Sequence, residues 1–307
     1  MSETSDPAHQ ATRPLITVIV PTCNRGEQLG DCLMRLAPGA QTLAPERYEV
    51  IVTDDSQANP ARELISQRFP WAKWVQGRGR GPATNRNNGA KSARGSWLVF
   101  IDDDCLPEPD LLSLYAKNTG GEALALEGAI HPLGDAGQDM VECPVNTTGG
   151  YFWSANIAVQ RALFESLGGF DPDYPMAAHE DQDLHFRLCQ RTQVKFLPDA
   201  RVFHRVRKIA LADALRRIPA RTWAWAIHVS KHRKDLGYES NGKVFWKESL
   251  LQLRIAARNL RRGKWKTAAY YFAWLIVGVP MTIRFLRKID RKGIGGSLRS
   301  RREEAPF

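Results

Sequence analysis

Apolar residues come in short bursts over the first two hundred positions. Leu15-Ile16-Thr17-Val18-Ile19-Val20 is a β-branched run stopped by Pro21, and 48–53 is a second, ending at Asp54-Asp55. Trp74-Val75 gives a short third, and 97–101, led by Gly95-Ser96, a fourth. Runs of this length and composition predict buried strands. Between them the spacing turns helical: Leu29, Leu33 and Leu36 share one face of a helix over 27–36, and 61–69 and 85–93 suit two more. Further on, the pattern predicts a strand over 157–159, a helix over 161–167 ended by Gly168-Gly169, a helix opening at His179-Glu180 and a last strand over 200–203. Strands apolar on both faces and alternating with helices predict a mostly parallel α/β sheet, whose ligands sit beyond the carboxyl ends of the strands.

Beyond residue 200 the pattern changes to long helical stretches. Arg254, Arg258 and Arg262 recur every four residues as a basic stripe. Residues 267–283 then carry no charge, although Gly278 and Pro280 interrupt them and basic residues flank both ends. As a helix this stretch reaches roughly 26 Å, short of a bilayer core of about 30 Å. The symmetric flanks lack the charge bias of a simple span, so an interfacial or re-entrant helix on an anionic membrane is expected, with a buried core helix as the alternative.

Charge divides the chain in the same place. The net charge is +10, but residues 1–200 hold 17 Lys and Arg against 26 Asp and Glu, whereas 201–307 hold 26 against 7. An acidic body suits cation-assisted chemistry, and a basic tail suits an anionic surface. The division predicts a lead-in over 1–13 without the apolar core of a secretory signal, a folded α/β domain over 14–205, and a helical, basic, membrane-associating region over 206–307. The five cysteines contain no C-x-x-C pair, so neither a disulfide framework nor a zinc site is expected, and a reducing compartment is.

Three carboxylates, Asp102, Asp103 and Asp104, close the fourth apolar run. They repel one another unless a cation or hydrogen-bond donors hold them, and a hard divalent ion with oxygen ligands is the usual solution. The alternative is a solvated turn capping a helix near Pro107. Pro21, Thr22, Asn24 and Arg25 follow the first strand, and Asp54 and Asp55 follow the second, where they would accept hydrogen bonds from a nucleoside or cap a helix. Arg86, set among asparagines, suits a diphosphate or an exposed helix face. Glu180-Asp181 opens a helix as either a cap or a proton acceptor. His179-Glu180 lacks the second histidine of H-E-x-x-H, since Asp183 stands in its place, which excludes a zincin.

These segments, 17–25, 50–56, 81–90, 100–104 and 179–184, fall in an order that resembles family 2 of the inverting, nucleotide-sugar-dependent glycosyltransferases. The resemblance runs over roughly 15–205. It implies a GT-A fold, a mostly parallel sheet flanked by helices and followed here by the helical basic region. It also implies that Pro21, Thr22, Asn24, Arg25, Asp54, Asp55, Arg86, Asn87, Asp102 and Asp103 bind the nucleotide sugar. Asp104 is the implied metal ligand, with Asp102 and His204 as further ligands for Mn²⁺ or Mg²⁺. Asp181 is the implied catalytic base, supported by Glu180, and Trp153, Asn156 and Asp183 border the acceptor.

The expected activity is sugar transfer from a UDP-, GDP- or dTDP-sugar to a hydroxyl of a glycan or lipid-linked acceptor, at the cytoplasmic face of a membrane and without nucleic acid. A metal-dependent nucleotidyltransferase is the competing enzyme, but it lacks a glycine-rich phosphate loop with its lysine and leaves Glu180-Asp181 idle. A non-catalytic membrane adaptor would need no carboxylates at three strand ends.

Overall fold

The computed structural model describes residues 14–57, 60–174 and 176–304, so the lead-in expected over 1–13 lies outside the described residues. Strands β1 (Ile16–Thr22), β2 (Tyr48–Asp54), β3 (Lys73–Gln76) and β4 (Trp97–Ile101) form the parallel half of an eight-stranded sheet. β5 (Cys105–Pro107), β6 (Ala125–Leu133), β8 (Asn156–Gln160) and β9 (Val194–Arg205) complete it in the order β3-β2-β1-β4-β8-β6-β9-β5, and β7 (Val141–Glu142) pairs separately with β10 (Arg207–Lys208).

β8 runs antiparallel to both β4 and β6, so the sheet is mixed where β8 enters. β1 continues through Pro21, one residue past the expected stop. Its pairing with β4 ends at Ile19 opposite Phe100, so the missing Pro21 N–H faces no strand on that side.

Helices α1 (Gly26–Leu36), α2 (Pro60–Arg68) and α4 (Leu111–Asn118) cover one face of the sheet, burying Leu29, Leu33, Ile65 and Tyr115 against β1, β2 and β4. On the other face α3 (Pro82–Lys91), α5 (Arg161–Ser166) and α6 (Glu180–Cys189) bury Ala83, Phe164, Leu184 and Leu188 around Phe100 and Phe170. β4 and β5 are separated by only three residues, yet β5 lies at the far edge of the sheet. The sheet therefore curls, and Asp102, Asp103 and Asp104 bridge its middle to its edge. The Cys105 N–H donates to the Asp102 carbonyl at 3.1 Å to close that turn.

β6 and β9 lose register between Gly128 and Ala129, a bulge. The side chain of Asn156, from β8, fills the gap: its amide donates to the carbonyls of Ala129 at 2.9 Å and Ala200 at 2.8 Å, and its oxygen accepts from the Tyr115 hydroxyl at 2.8 Å. Gly128 is obligatory here, because a Cβ would lie 2.2 Å from the Asn156 amide nitrogen.

The helical part follows as α7 (Leu211–Arg216), α8 (Ile218–Lys231), α9 (Asn241–Arg261), α10 (Trp265–Ala273), a π turn (Trp274–Gly278) and α11 (Val279–Glu304). It packs on the α/β part. Tyr174, Met176 and Ala178 join a cluster with Trp223, Ile227, Ile283 and Leu286. Asp139 caps α10 by accepting from the N–H groups of Lys266 and Thr267, at 3.0 and 2.9 Å. The π turn widens the helix ahead of Pro280, where a regular helix would meet the proline ring. Trp265–Gly293 is long and apolar enough to cross a membrane, with 33% of its apolar window buried. Ala268, Tyr270 and Val279 face the body, whereas Ile276 is 71% exposed.

Candidate active site

The carboxyl ends of β1, β2 and β4 meet at one cleft, with the start of α6 across from them. Arg25 spans the aspartate turn, donating from one guanidinium nitrogen to Asp103 at 3.0 Å and to Asp104 at 3.1 Å. The Thr22 hydroxyl donates to the other oxygen of Asp103 at 2.7 Å. Burial pushes the Asp103 carboxyl up to about 6, more than Arg25 and Thr22 pull it down. Burial would raise Asp104 as well, but the hydrogen bond and charge of His204, with Arg25 behind them, hold it below its ordinary range. His204 Nε2 lies 3.1 Å from Asp104 Oδ1, and this contact raises His204 despite its burial. The charge repulsion foreseen in the triplet is thus met by guanidinium, hydroxyl and imidazole.

Asp104, Cys105 and His204 bring one ligand atom each within 4.8 Å of one another, the only such group among the described residues. The carboxylate and imidazole fit a divalent ion of the manganese kind. Cys105 does not: burial keeps its thiol protonated, and the sulfur faces the Ala155 carbonyl at 3.8 Å. Asp102, expected as a second metal ligand, is outside this group. Its carboxylate turns to Arg86, 2.7 Å away, because that buried guanidinium needs a counter-ion.

Arg86 donates with its other terminal nitrogen to Glu180 at 3.0 Å and rests over the Phe170 ring. It therefore joins the aspartate turn to the start of α6. Glu180 is only 2% exposed, and Asp181 is half-buried beside it, accepting from the N–H groups of Gln182 at 2.8 Å and Ser154 at 3.3 Å. Burial pushes both carboxyls up, Glu180 to about 7 and Asp181 to about 6, with Arg86 opposing the rise. A carboxylate of that kind accepts a proton near neutrality. His179, just before the helix, has φ 69°, a left-handed turn that swings the chain into α6.

Several of the expected site residues are held by the protein's own groups. Asn156 is fully buried, with its amide committed to Tyr115, Ala129 and Ala200. Asp183 points into the helical part, pairing with Arg187 at 2.7 Å and His232 at 2.8 Å. The Asn87 amide clamps the main chain of Phe170, accepting from its N–H at 2.9 Å and donating to its carbonyl at 2.6 Å. Asp54 is buried and accepts from the Ser56 N–H at 2.9 Å, shaping the strand-end turn. Asp55 remains accessible beside it, holding the Gly79 N–H at 3.0 Å. Pro21 and the exposed Asn24, the latter at φ 57°, border the cleft near Cys23. Trp153 stacks on Tyr151 with ring centres 4.6 Å apart.

Two residues that organise the site had no motif to mark them. Glu127, in an apolar strand, accepts from the N–H groups of Gly150, Tyr151 and Phe152 and so holds the loop ahead of Trp153 and Ser154. Its one signal was a lone acid in a run of apolar residues. Glu142 gathers Arg207, Arg217 and Arg221 where the loop meets the helices.

The cleft's segments coincide with a known pattern. Residues 17–120 match the model of glycosyl transferase family 2. Validoxylamine A glucosyltransferase of Streptomyces hygroscopicus subsp. limoneus is 29% identical over 220 aligned positions, covering 57% of this chain and 48% of the relative. Glycosyltransferase AglE of Haloferax volcanii is 28% identical over 123 positions, covering 38% and 40%. An uncharacterized glycosyltransferase of Haemophilus influenzae is 31% identical over 197 positions, covering 57% and 62%. The chain spans about half the length of the first two curated relatives it matches, both validoxylamine A glucosyltransferases.

Among solved structures, the mannosyltransferase PcManGT from Pyrobaculum calidifontis, in complex with GDP-Man and Mn²⁺, aligns with a TM-score of 0.52 at 18% identity, covering 97% of this chain and 78% of that one. S. aureus TarS 1–349 in complex with UDP aligns with a TM-score of 0.52 at 18% identity, covering 91% of both chains. These likenesses establish the fold, which is the GT-A type expected.

Proposed function

We propose that this chain is an inverting glycosyltransferase that moves a sugar from a UDP-, GDP- or dTDP-sugar to a hydroxyl of a glycan or lipid-linked acceptor. The observation that carries the reading is Arg86. One buried guanidinium holds Asp102, on the strand-end side, and Glu180, beside the proton acceptor, so nucleotide and acceptor chemistry share one rigid frame. Asp55 and Asp103 stand at the nucleoside end, and Arg25 approaches the diphosphate. The acceptor hydroxyl faces Asp181. As its oxygen bonds to the anomeric carbon, the bond from that carbon to the phosphate oxygen breaks, Asp181 takes the hydroxyl proton, and the nucleoside diphosphate leaves with the electron pair.

Asp104 and His204 would hold a divalent cation, whose positive charge favours departure of the diphosphate. Mn²⁺ suits an imidazole ligand better than Mg²⁺ does, and PcManGT is described with Mn²⁺. A peripheral position on the cytoplasmic membrane face is supported by a groove of about 860 Å³, where Phe245, Pro280 and Ile283 lie among Arg284, Arg287 and Arg291. Trp246, 73% exposed, adds to this face.

Nucleotide release from UDP-, GDP- and dTDP-sugars, measured with and without Mn²⁺, tests the reading. Metal-dependent release from one class supports it. No turnover and no metal-dependent nucleotide binding would sink it.

A further inference from the structure

The residue that leads into α6 has a backbone conformation few side chains accept. His179 stands at φ 69° and ψ −4°, in the left-handed region, directly before Glu180 and Asp181. A histidine in that region persists only where its surroundings hold it. Here the surroundings are one helix of the C-terminal part. The His179 ring lies against Trp225 of α8 with ring centres 5.0 Å apart, and stacks on His228, one turn further along, at 5.3 Å. Trp225 and His228 stack on each other at 5.6 Å. The Trp225 N–H is buried without a partner, so the indole is kept for its face. On its other side His179 Nδ1 donates to the side-chain oxygen of Gln182 at 2.7 Å, which ties the ring to the first turn of α6.

α8 also grips the far side of the carboxylate pair. His232 Nε2 is 2.8 Å from Asp183 Oδ1, and its ring stacks on Phe186 at 4.6 Å. Glu180 and Asp181 thus sit between two points clamped by the same helix. They differ in what else holds them. Glu180 has Arg86. Asp181, among the described residues, accepts only from the main-chain N–H groups of Gln182 and Ser154, the second at a long 3.3 Å. The direction of its carboxylate therefore follows the course of the main chain through 179–181, which the α8 rings set.

We propose that Trp225 and His228 are positioning residues for the base: by stacking on His179 they hold its left-handed turn, and through that turn they aim Asp181 at the acceptor hydroxyl. This rests on the transferase reading above, with Asp181 as base. The two rings contribute to catalysis from behind the site, without touching substrate.

The test measures kcat and KM of the full chain with Mn²⁺ for Trp225→Leu, Trp225→Phe and His228→Leu, each alone and combined with Asp181→Asn. The two leucine variants should lower kcat about tenfold or more while the donor KM moves less than about threefold, as for a misaimed reacting group. Trp225→Phe keeps an aromatic face and should retain most of kcat. In the Asp181→Asn background the leucine substitutions should cost less than about twofold, because the group they aim is already gone. Hydrogen exchange supplies a readout without turnover. The Asp183 N–H, which donates to the His179 carbonyl at 2.9 Å, should exchange about tenfold or more faster in both leucine variants, with β1 and β4 unchanged. Unchanged exchange at Asp183, faster exchange in β1 and β4 as well, equal losses with and without Asp181, or a phenylalanine variant as poor as the leucine one would each overturn the proposal. Full transfer by Asp181→Asn alone, or no turnover by any form, would instead refute the reading on which it rests, and exchange at Asp183 would still decide whether α8 holds the turn.

Discussion

Removing the Arg86 guanidinium tests the frame of the site most directly. Arg86→Met keeps most of the side chain's bulk but leaves Glu180 buried without a cation and Asp102 without its partner. In the wild type, raising Glu180 from 4.5 to about 7 costs the folded state roughly 3 kcal/mol at pH 8. In the variant Glu180 stays protonated, and holding that proton at pH 8 against an unfolded value of 4.5 costs roughly 5 kcal/mol. The increment is about 2 kcal/mol. Loss of the charged hydrogen bond to the partly exposed Asp102 adds about 1 kcal/mol, a total near the low end for a broken buried pair.

Both proteins carry the Glu180 proton at pH 5. A group raised in the folded state destabilises only above its unfolded pKa, so the Glu180 increment disappears there and about 1 kcal/mol remains. Thermal or urea unfolding at pH 5 and pH 8, with the Arg86→Met/Glu180→Gln double variant included, measures this. The double variant should recover most of the loss at pH 8. An equal loss at both pH values, or a double variant no more stable than Arg86→Met, refutes the charge-pairing argument.

Asp181→Asn should lower transfer by about 10²–10⁴-fold while nucleotide affinity, read by thermal shift, stays within a few fold; equal transfer would remove Asp181 as the base. Because burial holds Asp181 near 6, kcat/KM should rise with pH between about 5 and 7 as the base loses its proton, and a flat profile over that range would contradict the assignment. His204→Ala should raise the Mn²⁺ concentration for half-activation at least about tenfold, measured by cation titration, since one of two fitted ligands is lost. Vesicles of phosphatidylcholine with phosphatidylglycerol should bind the chain more tightly than phosphatidylcholine alone. Replacing Arg284, Arg287 and Arg291 with Gln should weaken that binding by about 100-fold at low salt, at about 1 kcal/mol per cation.

The parallel half of the sheet was legible because each of its strands is a contiguous apolar run with a turn signal behind it. β4 matches its expected span, 97–101, to the residue. β9 was less legible: only 200–203 looked like a strand, since Pro198 and Asp199 break the pattern in a strand that begins at Val194. The carboxylates of the cleft could be read from sequence because acids at strand ends stand out against apolar runs. The internal partners of Asn87, Asn156 and Asp183 could not be read for the converse reason. A polar residue near a motif looks available, and only the fold shows that its hydrogen bonds are already taken. Trp225 and His228 were out of reach, since they join the site through the packing of α8.

The bulge filled by Asn156 has a kinetic consequence. β9 pairs with β6 and β5 across long sequence separations, contacts that form late and slowly in folding. Asn156 reaches the β9 carbonyl of Ala200 from a third strand, so it checks the alignment as the sheet closes. β5 sets Cys105 against His204, and a slip of one residue would turn Phe203 or Arg205 toward Asp104 in its place. A chain trapped in that register would keep its helices and most of its core, yet lack the imidazole beside Asp104. If Asp104 and His204 hold a cation as proposed, its stoichiometry in a preparation measures how faithfully β9 has docked.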